Sequence, residues 1–374
     1  MKKFISAIAA ILCLIPLLFA VNVSAEDISI SAKSAVLIEA ETGEVLYQKD
    51  AFAVRPMAST TKIMTALVAI ESGDPDRLVK VDDRARGIEG SSIYLAENEV
   101  LSMRDLLYAL MLASANDSAT AIAYEVAGSI ESFAELMNAK AAELGLRSTH
   151  FTNPHGLHHE EHYTTAYDLA TLTAAALKNE LFLEICSTKS KTIPLNVNDG
   201  TRYLTNHNKL LRTYEGCIGV KTGFTKNSGR CLVSAAERDG LRLIAVTLSA
   251  PNDWRDHKEL LDFGFERYVR WTFAKKGEFT TTLEVMGGEI SEAVVANAAE
   301  LSSLLRKDHE EIEFIIEANR PIFAPITRGE ELGRIICFED GKEISNSPLV
   351  AVTKVEMTQK KRGPLAWLTK LFTG

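Results

Sequence analysis

Cysteine, positive charge and long apolar runs are all scarce in this chain, and each scarcity removes a class of protein. There are five cysteines in 374 residues. Four of them, Cys186, Cys217, Cys231 and Cys337, lie beyond the first 25 residues, too sparse for a disulfide scaffold in a chain large enough not to need staples. Cys217 and Cys231 flank apolar runs, where a free thiol behaves as a small hydrophobe. Free thiols are therefore expected, with a Cys217–Cys231 bridge as the alternative. Lys and Arg number 41 against 50 Asp and Glu, for a formal net charge of −9. So acidic a chain argues against nucleic acid as a partner. After residue 21 no apolar run is long enough to cross a bilayer, and there is no internal repeat or low-complexity tract.

The one long apolar run, Phe4 to Val21, follows Lys2 and Lys3 and ends near Val23-Ser24-Ala25, a small-residue cleavage site. Residues 1–25 read as a secretory signal peptide, so the protein is expected at the extracytoplasmic face of the cell envelope. A retained anchor is the alternative, but Pro16 interrupts a run that is short for a span. The remaining chain exceeds one average domain, and 46% apolar content can fill more than one core.

Strand-like Ser34 to Ala40 and Glu44 to Tyr47 flank the turn Glu41-Thr42-Gly43 and predict an opening hairpin. Helical periodicity dominates about 83–211, notably Met103 to Ala115, Ala119 to Val126 and Ser132 to Leu144. Strand-like runs follow at Cys217 to Phe224, Gly229 to Ala236 and Leu241 to Ser249, then a helix from Trp254 to Tyr268. Strands at both ends of a helical block predict one sheet with a helical subdomain inserted into it. That gives a first domain over 26–271 and, from short β-like runs such as Phe279 to Met286, Glu313 to Ala318 and Leu349 to Met357, a small β domain over 272–358. Residues 359–374 carry Lys360-Lys361-Arg362 and then Leu365, Leu368, Leu371 and Phe372 on one helical face beside Trp367. This amphipathic tail is too short to span but suits an anionic membrane surface; a helix packed on its own domain is the alternative.

The chemistry begins at Ser59-Thr60-Thr61-Lys62, which puts a hydroxyl and an amine one helical turn apart. Pro56 suits a helix entrance, so Ser59 is expected in the first turn, where free N–H groups stabilise charge developing on oxygen. Ser-x-x-Lys alone is a common string. Ser114-Ala115-Asn116 after a helical segment and Lys221-Thr222-Gly223 in a strand complete an ordered triple that chance supplies in fewer than about one chain in a hundred.

With these three motifs the chain closely resembles the low-molecular-mass D-alanyl-D-alanine carboxypeptidases, a branch of the penicillin-binding proteins. The likeness extends through Pro56 to Ala66, His150 to Gly156, Tyr163 to Asp168, Thr205 to Leu211 and Gly219 to Thr225. It implies the α/β (α+β) fold shared by penicillin-binding proteins and β-lactamases, an antiparallel sheet with an inserted helical subdomain, followed by a small all-β C-terminal domain. It implies a serine peptidase that trims peptidoglycan stem peptides ending in D-Ala-D-Ala, takes β-lactams as covalent inhibitors, and needs neither metal nor organic cofactor. The implied catalytic residues are Ser59 as nucleophile, Lys62 as base, Ser114 as proton relay, Asn116 and Lys221. Lys221, Thr222, Gly223 and Phe224 would bind substrate, with the backbone N–H groups of Ser59 and Phe224 as oxyanion hole.

At an ordinary pKa of about 10.4, roughly 0.04% of a lysine is neutral at pH 7, so Lys62 needs a second ammonium, Lys221, aided by burial, to serve as base. No equivalent of a β-lactamase deacylating glutamate stands out: Glu160 and Glu161 lie in a His-rich loop. A β-lactamase on the same scaffold, or a non-catalytic muropeptide-binding protein, are the alternatives. His155, His158, His159 and His162 form a cluster of a kind that can bind zinc, but the spacing misses His-Glu-x-x-His and a solvated loop is expected.

Overall fold

The structure, a computed structural model, describes residues 28–195 and 200–358. The signal segment and the amphipathic tail lie outside the described residues. In chain order the elements are β1 (Ser34–Glu39), β2 (Val45–Lys49), α1 (Lys62–Glu71), β3 (Leu78–Lys80), β4 (Val100–Ser102), α2 (Met103–Leu112), α3 (Asn116–Ala127), α4 (Ile130–Glu143), α5 (Ala166–Ala176) and α6 (Glu180–Ser187). They continue as β5 (Ser190–Leu195), β6 (Gly200–Thr205), α7 (Leu210–Thr213), β7 (Cys217–Thr225), β8 (Gly229–Arg238), β9 (Leu241–Leu248) and α8 (Asp253–Arg267). The rest is β: β10 (Tyr268–Ala274), β11 (Thr280–Glu284), β12 (Glu292–Asn297), β13 (Leu301–Arg306), β14 (Glu313–Ala318), β15 (Glu331–Glu339) and β16 (Lys342–Ala351).

One antiparallel sheet, in the order β2-β1-β9-β8-β7, organises the first domain. Side chains alternate across a strand, and here both faces are apolar because both are covered. Val36 and Ile38 of β1, Val233 and Ala235 of β8, and Ile244 and Val246 of β9 face the helical block. Their alternates Ala35, Leu37, Leu232, Ala236, Leu243 and Ala245 pack under α8 with Leu260, Leu261 and Phe263. Helix α1 is apolar nearly all round, and Lys62 to Ala69 are buried in succession, as expected of a helix enclosed by others. The enclosure leaves its N-terminus pointing at β7, the edge strand.

α8 is fastened to the chain's opening segment by one carboxylate. Asp256 accepts from Ser31 N–H at 2.9 Å, Ser31 O–H at 2.7 Å and Ala32 N–H at 3.0 Å. On the same helix His257, fully buried, lies between Ser234 Oγ at 2.5 Å and Thr247 Oγ1 at 2.9 Å, and so ties α8 to β8 and β9.

The expected strands and helices are present, with three differences. Ser59 lies not in the α-helix but in a 3-10 turn, Ala58–Thr61, that feeds α1. The helical block contains a hairpin, β5–β6, which the sequence conceals because Pro194 sits in β5 and speaks against a strand there. Third, strand structure begins at Tyr268, directly after α8. β10 pairs with β13, and the main β sheet runs β11-β12-β16-β15-β14 around a core of Leu283, Val295, Ile335, Cys337 and Leu349. The hairpin β7–β8 also rules out the alternative disulfide. Cys217 stands opposite Ala236 and Cys231 opposite Gly223, six residues apart along the ladder or about 20 Å, far beyond disulfide reach.

Asp256→Ala is expected to lower unfolding stability by about 2–3 kcal/mol, because it removes three hydrogen bonds to a charged acceptor and leaves one buried and one half-buried backbone donor unpaired. Urea unfolding of the variant beside the parent measures it.

Candidate active site

The 3-10 turn, the junction between α2 and α3, and strand β7 converge on one cleft. It is lined by Ser59, Ser91, Ser114, His207, Thr222, Gly223, Phe224, Arg230, Asp253 and Trp254. Gly223 eases the convergence: a Cβ there would lie 3.0 Å from Ser59 N and 3.2 Å from Met57 O, so a side chain would crowd the turn and push it from β7 by a few tenths of an ångström.

Lys62 is fully buried, and its Nζ has three neighbours: Ser59 Oγ at 3.1 Å, Asn116 Oδ1 at 2.7 Å and His155 O at 2.7 Å. Asn116 Oδ1 and His155 O accept from the amine and Ser59 Oγ lies on its third side, so a neutral Lys62 would turn its lone pair towards the Ser59 hydroxyl. The electrostatics agree, since the Lys62 amine is held well below its ordinary value, first by burial and second by Lys221, against a smaller opposing effect from Asp117. The order reverses the sequence-based expectation: loss of water, and not the second ammonium, is the larger cause. Lys221, also buried, donates to Ser114 Oγ at 3.0 Å and to Thr222 O at 2.9 Å, and burial pushes it down to about 7. Ser114, at φ +60°, adopts the left-handed conformation between α2 and α3, and so turns its hydroxyl to Lys221 while Asn116 starts α3.

Every sequence-predicted site residue is thus in or against one cleft. Thr222 is half-buried, and Phe224 presents an exposed ring at its mouth. Strand β7 is the sheet edge, and among the described residues no further strand pairs with its outer side.

The sequence reading missed the supports. Lys62 is met by a backbone carbonyl, that of His155. The loop carrying it is fixed by Thr65 O–H donating to Pro154 O at 2.6 Å and Gly156 N–H donating to Asn153 Oδ1 at 2.7 Å. Gly156, at φ +88°, allows the loop to lie on the turn, since a Cβ would fall 1.9 Å from Ala58 O. Asp117, buried, accepts from Ser92 O–H, Ile93 N–H and Leu95 N–H at 2.6–3.2 Å and holds a second loop beside Asn116. The resemblance already singled out Asn153-Pro154-His155-Gly156, but no residue pattern marks a carbonyl as a ligand.

The histidine cluster divides. His158 and His159 are exposed, as a solvated loop requires, but His162 is buried, which corrects that expectation. Its Nδ1 accepts from Thr152 N–H at 3.0 Å and its Nε2 lies 2.7 Å from Thr61 Oγ1, whose hydroxyl donates to Ala58 O. It braces the 3-10 turn. Among the described residues no three His, Cys, Asp or Glu side chains are grouped to hold a metal ion.

A half-buried serine hydroxyl beside a buried amine held well below its ordinary pKa, facing an open strand edge, is the arrangement of a serine acyl-transfer enzyme. A family model described as D-alanyl-D-alanine carboxypeptidase matches residues 20–252, and one described as the C-terminal domain of penicillin-binding protein 5 matches residues 268–357. The chain is 34% identical over 354 residues to the D-alanyl-D-alanine carboxypeptidase DacF of Bacillus subtilis, covering 92% of this chain and 90% of that one. It is 32% identical to DacC of Escherichia coli over 91% of this chain and 88% of the relative. The crystal structure of penicillin binding protein 5 from Haemophilus influenzae aligns at a TM-score of 0.71 with 27% identity, covering 88% of this chain and 99% of that one. The chain belongs to the D-alanyl-D-alanine carboxypeptidases, the penicillin-binding serine peptidases of the bacterial cell wall.

Burial of three histidines gives a pH prediction. His155, His162 and His257 are all pushed down to about 3, chiefly by burial, so below pH 6.5 the unfolded chain binds protons that the folded chain refuses. Stability is therefore lost as pH falls from 6.5 towards 3. Between pH 6 and 5, above the carboxylate range, the loss is expected to approach about 1.4 kcal/mol per pH unit for each histidine. Urea unfolding across this window should show that slope, reduced by about a third in His257→Gln.

Proposed function

We propose that this enzyme removes the terminal D-alanine from peptidoglycan stem peptides through an ester on Ser59. The observation that carries the reading is the three-way environment of Lys62 Nζ: two acceptors occupied and the nucleophile's hydroxyl on the third side. The Ser59 proton passes to the Lys62 lone pair as Oγ bonds to the carbonyl carbon of the penultimate D-alanine. The carbon–nitrogen bond then breaks, and the departing amine takes a proton relayed by Ser114, whose hydroxyl is held by Lys221. Water later hydrolyses the ester.

Asn116 fixes the Lys62 side chain and binds the substrate amide. The open edge of β7 accepts the stem peptide as an added strand, with Lys221 and Thr222 directed at its terminal carboxylate and Gly223 and Phe224 against its backbone. Ser59 N–H and Phe224 N–H stabilise the oxyanion, a contribution of about 2.7–4 kcal/mol per donor in enzymes of this kind. The only acids of the His-rich loop, Glu160 and Glu161, are exposed, which supports slow release of a bound β-lactam over β-lactamase turnover.

The wider reading assigns 1–25 as signal peptide, 26–271 as catalytic domain with its helical subdomain over about 83–211, 272–358 as β domain, and 359–374 as a membrane-associating tail. The last is supported by the basic prefix and apolar face in the sequence. Among the described residues no helix is long and apolar enough to cross a membrane.

The test incubates the enzyme with a labelled penicillin and with diacetylated L-Lys-D-Ala-D-Ala, beside Ser59→Ala. Persistent label together with D-alanine release is expected, and both vanish in Ser59→Ala. Rapid loss of label without peptide cleavage would indicate a β-lactamase, neither signal a binding protein, and activity in Ser59→Ala would overturn the assignment.

A further inference from the structure

Hairpin β5–β6 lends one arginine to the support of Asn116. Arg202 Nε donates to Ile93 O at 2.8 Å and Nη2 to Tyr94 O at 3.1 Å. Nη2 also donates to Glu99 Oε2 at 2.8 Å, and Nη1 bonds to Glu99 Oε1. Glu99 is 1% exposed, and its Oε2 additionally accepts from Ala96 N–H at 2.9 Å. The guanidinium thus closes loop 89–99 on itself and pins it to the hairpin, while Asp117 grips Ser92, Ile93 and Leu95 from the α3 side. A fork with several fixed donors suits this task, whereas an ammonium is a single point.

The near end of the loop meets the catalytic asparagine. Asn116 Nδ2 donates to Glu89 O at 2.5 Å and Asn116 N–H to Ser91 O at 2.7 Å, while Asn116 Oδ1 accepts from Lys62 Nζ. The fit is close: a Cβ at Gly90 would lie 2.8 Å from Asn116 Nδ2. The side-chain amide is therefore oriented by the loop, and the amine by the amide.

We propose that Arg202 and Glu99 are positioning residues of the acyl-transfer site: their ion pair fixes loop 89–99 and, through the Glu89 and Ser91 carbonyls, the orientation of Asn116 that holds the Lys62 amine against Ser59. The proposal rests on the roles given above to Asn116 and Lys62. Loosening the loop lets water reach Lys62 and relieves part of the burial that keeps it neutral, so the base ionises at higher pH. A pair that only stabilised the hairpin would change the unfolding midpoint and leave that ionisation where it was.

The test measures the second-order rate of acylation by a penicillin against pH, per titrated active site, for the parent, Arg202→Met, Arg202→Lys and Asn116→Ala. Arg202→Met is expected to acylate at least tenfold more slowly at pH 7, with the midpoint of the rising limb moved to higher pH. Arg202→Lys keeps a cation beside Glu99 without the fork, so it is expected to fold like the parent and still acylate at least threefold more slowly. It decides the question if Arg202→Met does not fold. Parental rates and midpoint in the folded Arg202 variants, with slowed Asn116→Ala, overturn this proposal alone. A parental rate in Asn116→Ala overturns the role given to Asn116 and this proposal with it.

Discussion

The structure depends on keeping one amine out of water. A lysine in solvent is an ammonium and cannot take a proton from serine, and the neutral form becomes accessible only where burial disfavours charge. Lys62 meets that condition by opening a helix enclosed on all sides, with its Nζ capped by Asn116, His155 O and Ser59. Most of the surrounding architecture is explained by this need. The helical block encloses α1, the sheet edge β7 closes over the 3-10 turn at Gly223, and the loops at 89–99 and 153–156 supply the last polar partners.

The same constraint explains why the second lysine is subordinate. Lys221 lowers Lys62, but burial lowers it more, and Lys221 is itself brought to about 7 by the same enclosure. Lys221 lies 3.0 Å from Ser114 Oγ and Lys62 lies 3.1 Å from Ser59 Oγ, so one desolvated pocket sets two amines against two different hydroxyls.

Much of this was legible in the sequence because it is written in side chains at fixed spacing. Ser59, Lys62, Ser114, Asn116 and Lys221 could be found as three motifs, and the sheet as strand-like runs at β7, β8 and β9. What stayed hidden is carried by backbone and by distant pairing. His155 acts through its carbonyl, Ser114 through a left-handed φ, and Arg202 reaches Glu99 from 103 residues away. Pro194 disguised the hairpin that brings Arg202 there, and His162 looked like its exposed neighbours because local sequence does not reveal burial.

Burial, more than the neighbouring Lys221, holds the Lys62 amine well below its ordinary value. A titration of the lysine side chains by NMR, with Lys62 assigned by its loss in Lys62→Arg, measures this. Lys62 is expected to ionise well below the ordinary lysine value and to stay well below it in Lys221→Met, rising only in part. Ionisation of Lys62 near 10.5 in the parent, or its full return there on removal of Lys221, would contradict it.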